Sequence, residues 1–233
     1  MSWESKTDYC GLAVANKVVI KSSTMNRSGQ YLEKTGASGA IVATKPYGTL
    51  DAPSCEYAIK AANSFAAGAI KLGAVTTVDN KRYALQSVHY ECGAAQEPVF
   101  SGTAQEIEAT TDGTQRTFDV PAFDISPDEI AAIIMSAATL GGAGCELTKA
   151  TMDASATVNN HTVNGVPVAS GVSQGKVTVA LEILQTSTTA PTVTAASGWD
   201  VSSPLSCNDP DSDLPTWTVT LSKPLAYTVA ATT

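Results

Sequence analysis

Charged side chains are scarce in this sequence. Asp, Glu, Lys and Arg make up 15% of its 233 residues, whereas a typical soluble domain carries about a quarter. Its polarity comes instead from Thr, Ser, Gly and Asn, which suit strands, turns and surfaces that neighbouring molecules cover. Because a surface poor in charge is difficult to keep monomeric at high concentration, this composition favours assembly.

Basic residues are especially few. The chain has 14 Lys and Arg against 22 Asp and Glu, for a formal net charge of −8, whereas proteins that grip nucleic acid cluster Lys and Arg on one surface. This balance excludes tight wrapping of DNA or RNA. An acidic wall would still let DNA slide past, because it repels the phosphate backbone, although solubility alone also accounts for an acidic composition.

Cysteine is present in an odd number and without paired spacing. The five residues are widely separated, with no Cys-x-x-Cys pair: Cys10, Cys55, Cys92, Cys145 and Cys207. Zinc sites and secreted disulfide frameworks have different spacings, so we expect reduced, mostly buried thiols.

Long apolar runs are also missing. No stretch has the roughly 20 apolar residues that span a bilayer, and the first residues lack the basic and apolar regions of a secretion signal. We therefore expect a protein that is made and kept in a cytosol, with no membrane partner.

Motifs of nucleophilic, metal-dependent and phosphate-binding catalysis are absent from the sequence. Its two histidines, His89 and His161, accompany no Gly-x-Ser-x-Gly, His-Glu-x-x-His or Walker loop. We therefore predict no catalytic residues, no cofactor and no enzymatic activity.

Three aspartates at alternate positions form a weak candidate for a metal site. Asp209, Asp211 and Asp213 resemble the start of a calcium loop, because Ca²⁺ binds several hard oxygen ligands. An EF-hand would place Gly sixth and Glu twelfth, where this chain has Leu214 and Thr220. A solvated turn is the simpler interpretation.

Residues 126–142 carry a complete set of helix signals. Ser126 can cap the helix, and Glu129 follows three residues later, which is the spacing of a capping box. Pro127 suits the first helical position, apolar residues then recur at helical spacing, and two glycines follow at 141–142. We predict a central α-helix over about residues 127–140.

The sequence on both sides of this helix indicates strands and turns. Hairpins are predicted between residues 70–78 and 83–90, and across Asn164-Gly165. Alternation predicts a strand with one buried apolar face, formed by Val177, Val179, Leu181 and Ile183. Gly or Pro predicts turns at residues 27–29, 46–48 and 51–53.

Several landmarks recur in the same order before and after the helix. The matching segments are 23–26 with 150–153, 54–59 more loosely with 178–183, and Cys92 followed by 98–103 with Cys207 followed by 215–220. Repeats of this length predict two copies of one β module, although Thr-rich β sequences also resemble one another through composition alone.

These patterns together predict a mainly β fold. We expect antiparallel β-sandwich or barrel modules, tandemly duplicated, with one central α-helix. The predicted parts are an N-terminal arm (1–17), a first β module (18–120), a linker with the helix (121–142) and a second β module (143–233). Fusion of the two modules into one domain remains open.

The chain resembles virion structural proteins of tailed bacteriophages, and in particular tail tube proteins. The resemblance is carried by the paired Thr-Met-Asn and Thr-Met-Asp strands and by the closing segment 198–224, which contains Gly198-Trp199, Cys207 and Pro215-Thr-Trp-Thr-Val-Thr. It implies a β-sandwich or barrel with a flanking helix, assembled as stacked rings around a channel through which DNA passes without specific binding.

The resemblance also implies partners and a location. The protein would bind itself, as a hexameric ring or as a pseudo-hexameric ring of fewer duplicated chains, and would contact other virion proteins. It would reside in the virion after assembly in the host cytoplasm.

Two alternatives remain open. One is another virion role, as a capsid decoration or head–tail connector protein. The other is a β-sandwich that binds carbohydrate or a cell surface, for which Trp199 and Trp217 would have to be exposed. Their strand-forming neighbours favour the core instead.

Contacts between subunits are predicted in the N-terminal arm and in the 70–90 hairpin, because open edges and hairpins can pair or pack between chains. In the arm, the aromatic Trp3 can dock on a neighbouring subunit. The hairpin residues predicted to do so are Val78, Asp79, Asn80, Lys81 and Tyr83.

Overall fold

The computed structural model describes residues 8–9, 12–13, 18–59, 70–78, 80–93, 96–109, 115–121, 127–134, 144–163 and 166–230. These residues form antiparallel strands and one short helix, α1 (Pro127–Ile134). The predicted mainly β, antiparallel fold with a central helix is therefore confirmed. Helix α1 begins at the predicted residue, and its predicted continuation to residue 140 lies outside the described residues.

Fourteen strands are described. In chain order they are β1 (Asp8–Tyr9), β2 (Leu12–Ala13), β3 (Val18–Thr35), β4 (Ile41–Ile59), β5 (Lys71–Leu72), β6 (Val75–Val78), β7 (Lys81–Gly93), β8 (Gln96–Ile107), β9 (Gln115–Asp119), β10 (Cys145–Val163), β11 (Val166–Gln185), β12 (Asp200–Cys207), β13 (Thr216–Pro224) and β14 (Tyr227–Ala230). Strands β1 and β2 pair with each other, and β5, β9 and β14 form a three-stranded sheet.

The remaining strands form one large sheet in the order β12-β13-β11-β10-β7-β8-β4-β3, with β6 paired to β7. Strands β7 and β10 come from opposite sides of α1, and they pair from Gly93 opposite Lys149 to Ser87 opposite Ser155. The two predicted modules are therefore joined edge to edge in a single sheet. They do not close into separate sandwiches or barrels in the described part of the chain.

Both halves arrange their long strands in the same relative order. In each half, the first two long strands form a hairpin, β3–β4 or β10–β11. The last long strand of the half, β8 or β13, lies between the second strand of that hairpin and the remaining strand, β7 or β12. The order is β3-β4-β8-β7 before α1 and β10-β11-β13-β12 after it. The two long hairpins also share a register shift at corresponding points, after Ile20 and after Leu147.

Pairing registers agree between the halves as well. Tyr57 lies opposite Phe100 in the first half, as Ile183 lies opposite Trp217 in the second. By this register residue 54 corresponds to residue 180, whereas the sequence match placed it at residue 178. The match of 54–59 with 178–183 is therefore corrected by two residues. The corrected register brings the acidic residues of the two strands, at 56 and 182, to the same level.

The turns predicted in the first hairpin are wrong. Residues 27–29 lie inside β3, and residues 46–48 and 51–53 lie inside β4. Arg27 and Asp51 are cross-strand partners, and the guanidinium binds the carboxylate through two hydrogen bonds of 2.6 and 3.0 Å. This bidentate pair joins the strands where local Gly and Pro signals predicted a break.

The two predicted hairpins are confirmed. Strand β6 pairs with β7 up to Val78 opposite Lys81. The intervening Asn80 has a φ of 64°, a conformation that Asn adopts more readily than most residues. Strands β10 and β11 pair up to Val163 opposite Val166, on either side of the predicted Asn-Gly turn.

One face of the large sheet is buried, and the other is open. The apolar residues predicted to share a face are all buried: Val177, Val179, Leu181 and Ile183. The three-stranded sheet and α1 pack on this face and bury Leu72, Phe118 and Ile130 against it. Among the described residues, no further sheet or helix covers the open face.

Gly175 marks a close approach between the small sheet and the large one. It is buried in β11, where a Cβ atom would overlap the ring of Phe118 on β9. Its carbonyl oxygen also accepts a hydrogen bond of 2.8 Å from the backbone N–H of Leu225. The missing side chain thus lets the two layers come into contact.

We predict that Gly175→Ala lowers the free energy of unfolding by about 1–3 kcal/mol, because the added methyl group overpacks the contact with Phe118. Gly171→Ala is the matched control, since a Cβ atom there has no heavy atom within 4 Å. Urea titration followed by tryptophan fluorescence measures both variants. Equal losses in the two variants would contradict this packing argument.

Candidate assembly interface

The junction between the two halves is the pairing of β7 with β10. On the buried face of the sheet, Tyr90 lies opposite Met152, and these side chains are 0% and 2% exposed. On the open face, His89 lies opposite Asp153, and the distance from Nδ1 to Oδ1 is 2.7 Å. The junction is thus apolar on one side and bridged by polar groups on the other.

A second ion pair lies beside the first on the open face. The Lys149 ammonium is 2.9 Å from a carboxylate oxygen of Glu91, and His89 Nε2 is 3.9 Å from the other oxygen of Glu91. The hydrogen bond with Asp153 raises the pKa of His89 above its ordinary value, against the opposing effect of partial burial. The neighbouring carboxylate of Glu91 acts in the same direction.

Strands β3 and β12 form the two ends of the large sheet. Among the described strands, neither has a neighbour on its outer side. The side chains of residues 21–24, 26–29 and 200–204 are exposed. Met25 on β3 and Cys207 on β12 are only partly buried, although Met25 packs against the core.

Sequence position alone indicated neither the β7–β10 junction nor the two free edges. Pairing between distant segments leaves little local signal in a sequence. The available hint was complementary charge, since His89 and Glu91 alternate on β7 while Lys149 and Asp153 lie on the partner strand.

Both long hairpins continue past the points where their pairing with flanking strands stops, and they carry exposed apolar side chains towards their tips. Pairing of β10 with β7 stops at Ser155, whereas pairing of β10 with β11 continues to Val163. Pairing of β4 with β8 stops at Ser54, whereas the β3–β4 hairpin continues to Ile41. The exposed apolar residues towards the tips are Tyr31, Ile41 and Val42 on one hairpin and Val163, Val166 and Val168 on the other.

A buried ion cluster holds the β3–β4 hairpin against the rest of the sheet. Asp51 is 1% exposed and binds Arg27 and the ammonium of Lys81, the latter at 2.9 Å. The same ammonium lies 2.9 Å from Glu106, whose carboxylate also accepts the backbone N–H of Asp51 at 3.0 Å. The sequence analysis did not predict this cluster: it placed Arg27 and Asp51 in turns and Lys81 at a subunit contact.

Ion pairing within the cluster shifts the pKa values of Asp51 and Lys81 towards their charged forms. The hydrogen bond from Arg27 lowers the pKa of the Asp51 carboxyl group, in spite of burial. Burial opposes the charge on Lys81, but hydrogen bonds to Glu106 and Asp51 outweigh it and raise the pKa of the ammonium. The cluster is thus a set of paired charges that fixes the hairpin in place.

The residues predicted at subunit contacts have different environments in the structure. Trp3 and Asp79 lie outside the described residues. Val78 ends β6, and Asn80 is exposed in the turn. Lys81 is bound to two carboxylates of its own chain, and Tyr83 is 3% exposed in its own core. The contact role stays a prediction for the turn and the arm, whereas Lys81 and Tyr83 are already engaged within the chain.

The aspartates considered for a metal site lie in an exposed turn after β12. Asp209, Asp211 and Asp213 are all exposed, and the backbone N–H of Ser212 donates to the Asp209 carbonyl at 3.3 Å. They belong to no group that could hold a metal ion, and the rest of the described chain contains none either. The turn organises its own backbone rather than a ligand set.

The two tryptophans considered as a sugar platform pack inwards. Trp199 is 7% exposed. Trp217 is partly buried against the core, and its Nε1–H donates to Oε1 of Gln185 at 2.8 Å. Carbohydrate binding through an exposed tryptophan pair therefore loses its basis.

Short polar side chains dominate the open face of the large sheet. They include Thr24, Ser54, Ser87, Thr103, Thr151, Thr178, Thr218 and Thr220. Several charges on this face are paired, as between Lys21 and Glu56 at 3.4 Å and between Lys149 and Glu91. The face is therefore polar.

Comparisons with known proteins give no family. No family model matches the sequence, and no curated protein matches it significantly. Within the described ranges, no helix is long and apolar enough to cross a membrane.

We predict that the free energy of unfolding falls as the pH rises through the folded-state pKa of His89. That pKa is raised above 6.5, so the protonated pair with Asp153 stabilises the fold below about pH 6.5 and is lost at higher pH. Asp153→Asn should weaken this dependence and lower the pKa of His89, as measured by NMR titration and urea unfolding, although Glu91 still favours the protonated form. The control His161→Gln should retain the dependence, and an unshifted His89 pKa in the Asp153→Asn variant would contradict the pairing.

Proposed function

We propose that this protein is a structural subunit that assembles into closed rings, in which β3 of one chain pairs with β12 of the next. The observation that carries the proposal is the head-to-tail repetition of one strand order along the large sheet. Strand β3 occupies the place in its half that β10 occupies in the other, and β12 corresponds to β7. The two free edges thus match the two strands that already pair within the chain.

The length and exposure of β3 also support assembly. This edge strand is 18 residues long, and most of its described side chains are exposed. Natural proteins usually shorten, cover or bulge such edges, because they are templates for pairing with another chain. A partner strand would cover this edge and satisfy its outward backbone groups.

Pairing between unlike edges determines the kind of assembly. A head-to-tail contact forms a ring if its rotation closes and a filament if it does not. A twisted sheet that closes on itself becomes a barrel without edges. If the two halves are copies of one module, each chain fills two similar positions in the ring, and fewer than six chains build a pseudo-hexameric ring. The alternative is a hexameric ring of six chains.

Within this class, the function we propose is that of a tail tube protein of a tailed bacteriophage. Support comes from the open sheet face, whose short polar side chains and paired charges suit a channel that DNA passes through without specific binding. The net charge of −8 acts in the same direction, because it disfavours adhesion of phosphates. The protein would assemble in the host cytoplasm, reside in the virion and contact other virion proteins at the ends of the tube.

The projecting hairpins supply a surface for stacking one ring on another. Their exposed valines and isoleucine at the tips would be buried against the adjacent ring. Apolar burial of this kind is non-directional and adds to whatever polar contacts the rings make. Stacked rings joined in this way would form a tube.

A capsid decoration or head–tail connector protein is the second candidate. The same edge pairing would support a single ring in a connector, so the free edges do not separate the two roles. The projecting apolar hairpin tips favour the tube, since a connector needs to stack only once on each side.

Negative-stain electron microscopy with light scattering tests the proposal. We predict rings or tubes with a central hole and a mass that is a multiple of the chain mass. A monomer that persists over a wide concentration range would contradict self-assembly as the function. Isolated rings without tubes would favour the connector role.

We predict that the double variant Val163→Thr/Val166→Thr forms rings but needs at least about tenfold more protein to form tubes. Burial of one valine side chain is worth about 1.5 kcal/mol or more, and about 1.4 kcal/mol is a tenfold change in an equilibrium constant. Threonine keeps the β-branched shape of valine, so the hairpin itself should persist. Val229→Thr, also at an exposed valine, is the control, and equal effects on tube formation would contradict stacking through the hairpin.

A further inference from the structure

We infer that the contact between neighbouring chains reproduces the register of the β7–β10 junction, with Cys207 of one chain opposite Met25 of the next. Ser206 then lies opposite Asn26, and Asn208 lies opposite Thr24. This inference rests on the proposed ring and specifies how its subunits join.

The register follows from strand pairings that the two halves share. Cys207 lies opposite Trp217 on β13, as Tyr90 lies opposite Phe100 on β8. Phe100 and Trp217 also occupy the same position against β4 and β11. Cys207 on β12 is therefore the counterpart of Tyr90 on β7, and the sequence match of Cys207 with Cys92 is corrected by two residues.

Strand β3 is aligned with β10 in the same way. Thr24 lies opposite Ser54, which pairs in turn with Thr103. Thr151 lies opposite Ala180, which pairs in turn with Thr220. The next residue on each strand is a methionine, so Met25 is the counterpart of Met152. Since Tyr90 faces Met152 within the chain, the same geometry between chains brings Cys207 to Met25.

Side-chain burial at the two edges agrees with this register. Met152 and Tyr90 are fully covered at the junction, whereas their counterparts Met25 and Cys207 remain partly exposed. Cys207 is a free thiol, and a free Cys behaves as a small apolar side chain. Pairing would complete the burial of both residues.

The backbone of β12 is oriented for this contact. The N–H of Asn208 donates to the carbonyl of Thr216 at 2.8 Å, so the backbone groups of Asn208 point towards β13. Backbone groups alternate in direction along a strand. Those of Cys207 therefore point to the free edge, where a partner strand can bind them.

Polar side chains line the other face of the proposed contact. The counterparts of the ion-paired His89 and Asp153 are Ser206 and Asn26, and the counterpart of Glu91 is Asn208. All three are exposed and uncharged, so they can bridge the strands by hydrogen bonds that depend little on salt. A slip of one residue would instead turn Met25 and Cys207 to opposite faces.

Cysteine cross-linking in assembled protein tests the register. In the double variant Asn26→Cys/Ser206→Cys the new thiols lie directly opposite each other, with Cα atoms about 4.5–5.5 Å apart, which is within the range of a disulfide. The matched control Asn26→Cys/Asn208→Cys places them diagonally, about 7–8 Å apart, beyond that range. Both variants keep the native cysteines, and the single variants measure the background from those thiols.

We expect mild oxidation to convert the first variant into a disulfide-linked ladder on a non-reducing gel, ending at the number of chains in the ring. The diagonal variant and the single variants should lack the ladder. Rings that form by electron microscopy but cross-link through the diagonal pair, or through neither pair, would overturn the register and leave the ring intact. Absence of rings in the unmodified protein would overturn the proposed function and this inference together.

Discussion

The two ends of the large sheet, which have no further strand beside them in the described part of the chain, are the constraint on which the rest of the structure depends. A strand needs partners on both sides for its N–H and C=O groups, or water in their place. In this chain β7 and β10 satisfy each other across the junction, while β3 and β12 face outwards. The two halves share one strand order, so the free edges correspond to the two strands that pair at the junction, and the proposed assembly rests on this correspondence.

The other features of the molecule hold that sheet in a form that can assemble. The ion cluster around Asp51 fixes the long β3–β4 hairpin, so the edge strand is presented in one orientation. The three-stranded sheet and α1 cover one face completely enough to supply the core. The opposite face carries short polar side chains and several ion pairs, and it is the face that we propose as the wall of a channel.

Elements with local causes could be predicted from the sequence, and contacts between distant segments could not. The proline at the first position of α1 and the Asn-Gly sequence between β10 and β11 are local signals that act within a few residues. The turn expected at 27–29 failed because Arg27 bonds to Asp51 across the hairpin, which no local pattern shows. Lys81 was expected at a subunit contact because open hairpins can pack between chains, but Asp51 and Glu106 bind it within the chain.

The most direct test of the account is a cryo-electron microscopy map of the assembled protein that resolves individual strands. The account predicts a sheet that continues without interruption from β12 of one chain into β3 of the next, so that the ring has no free edge. Rings whose subunits contact one another through other surfaces, with β3 and β12 both exposed to solvent, would contradict it.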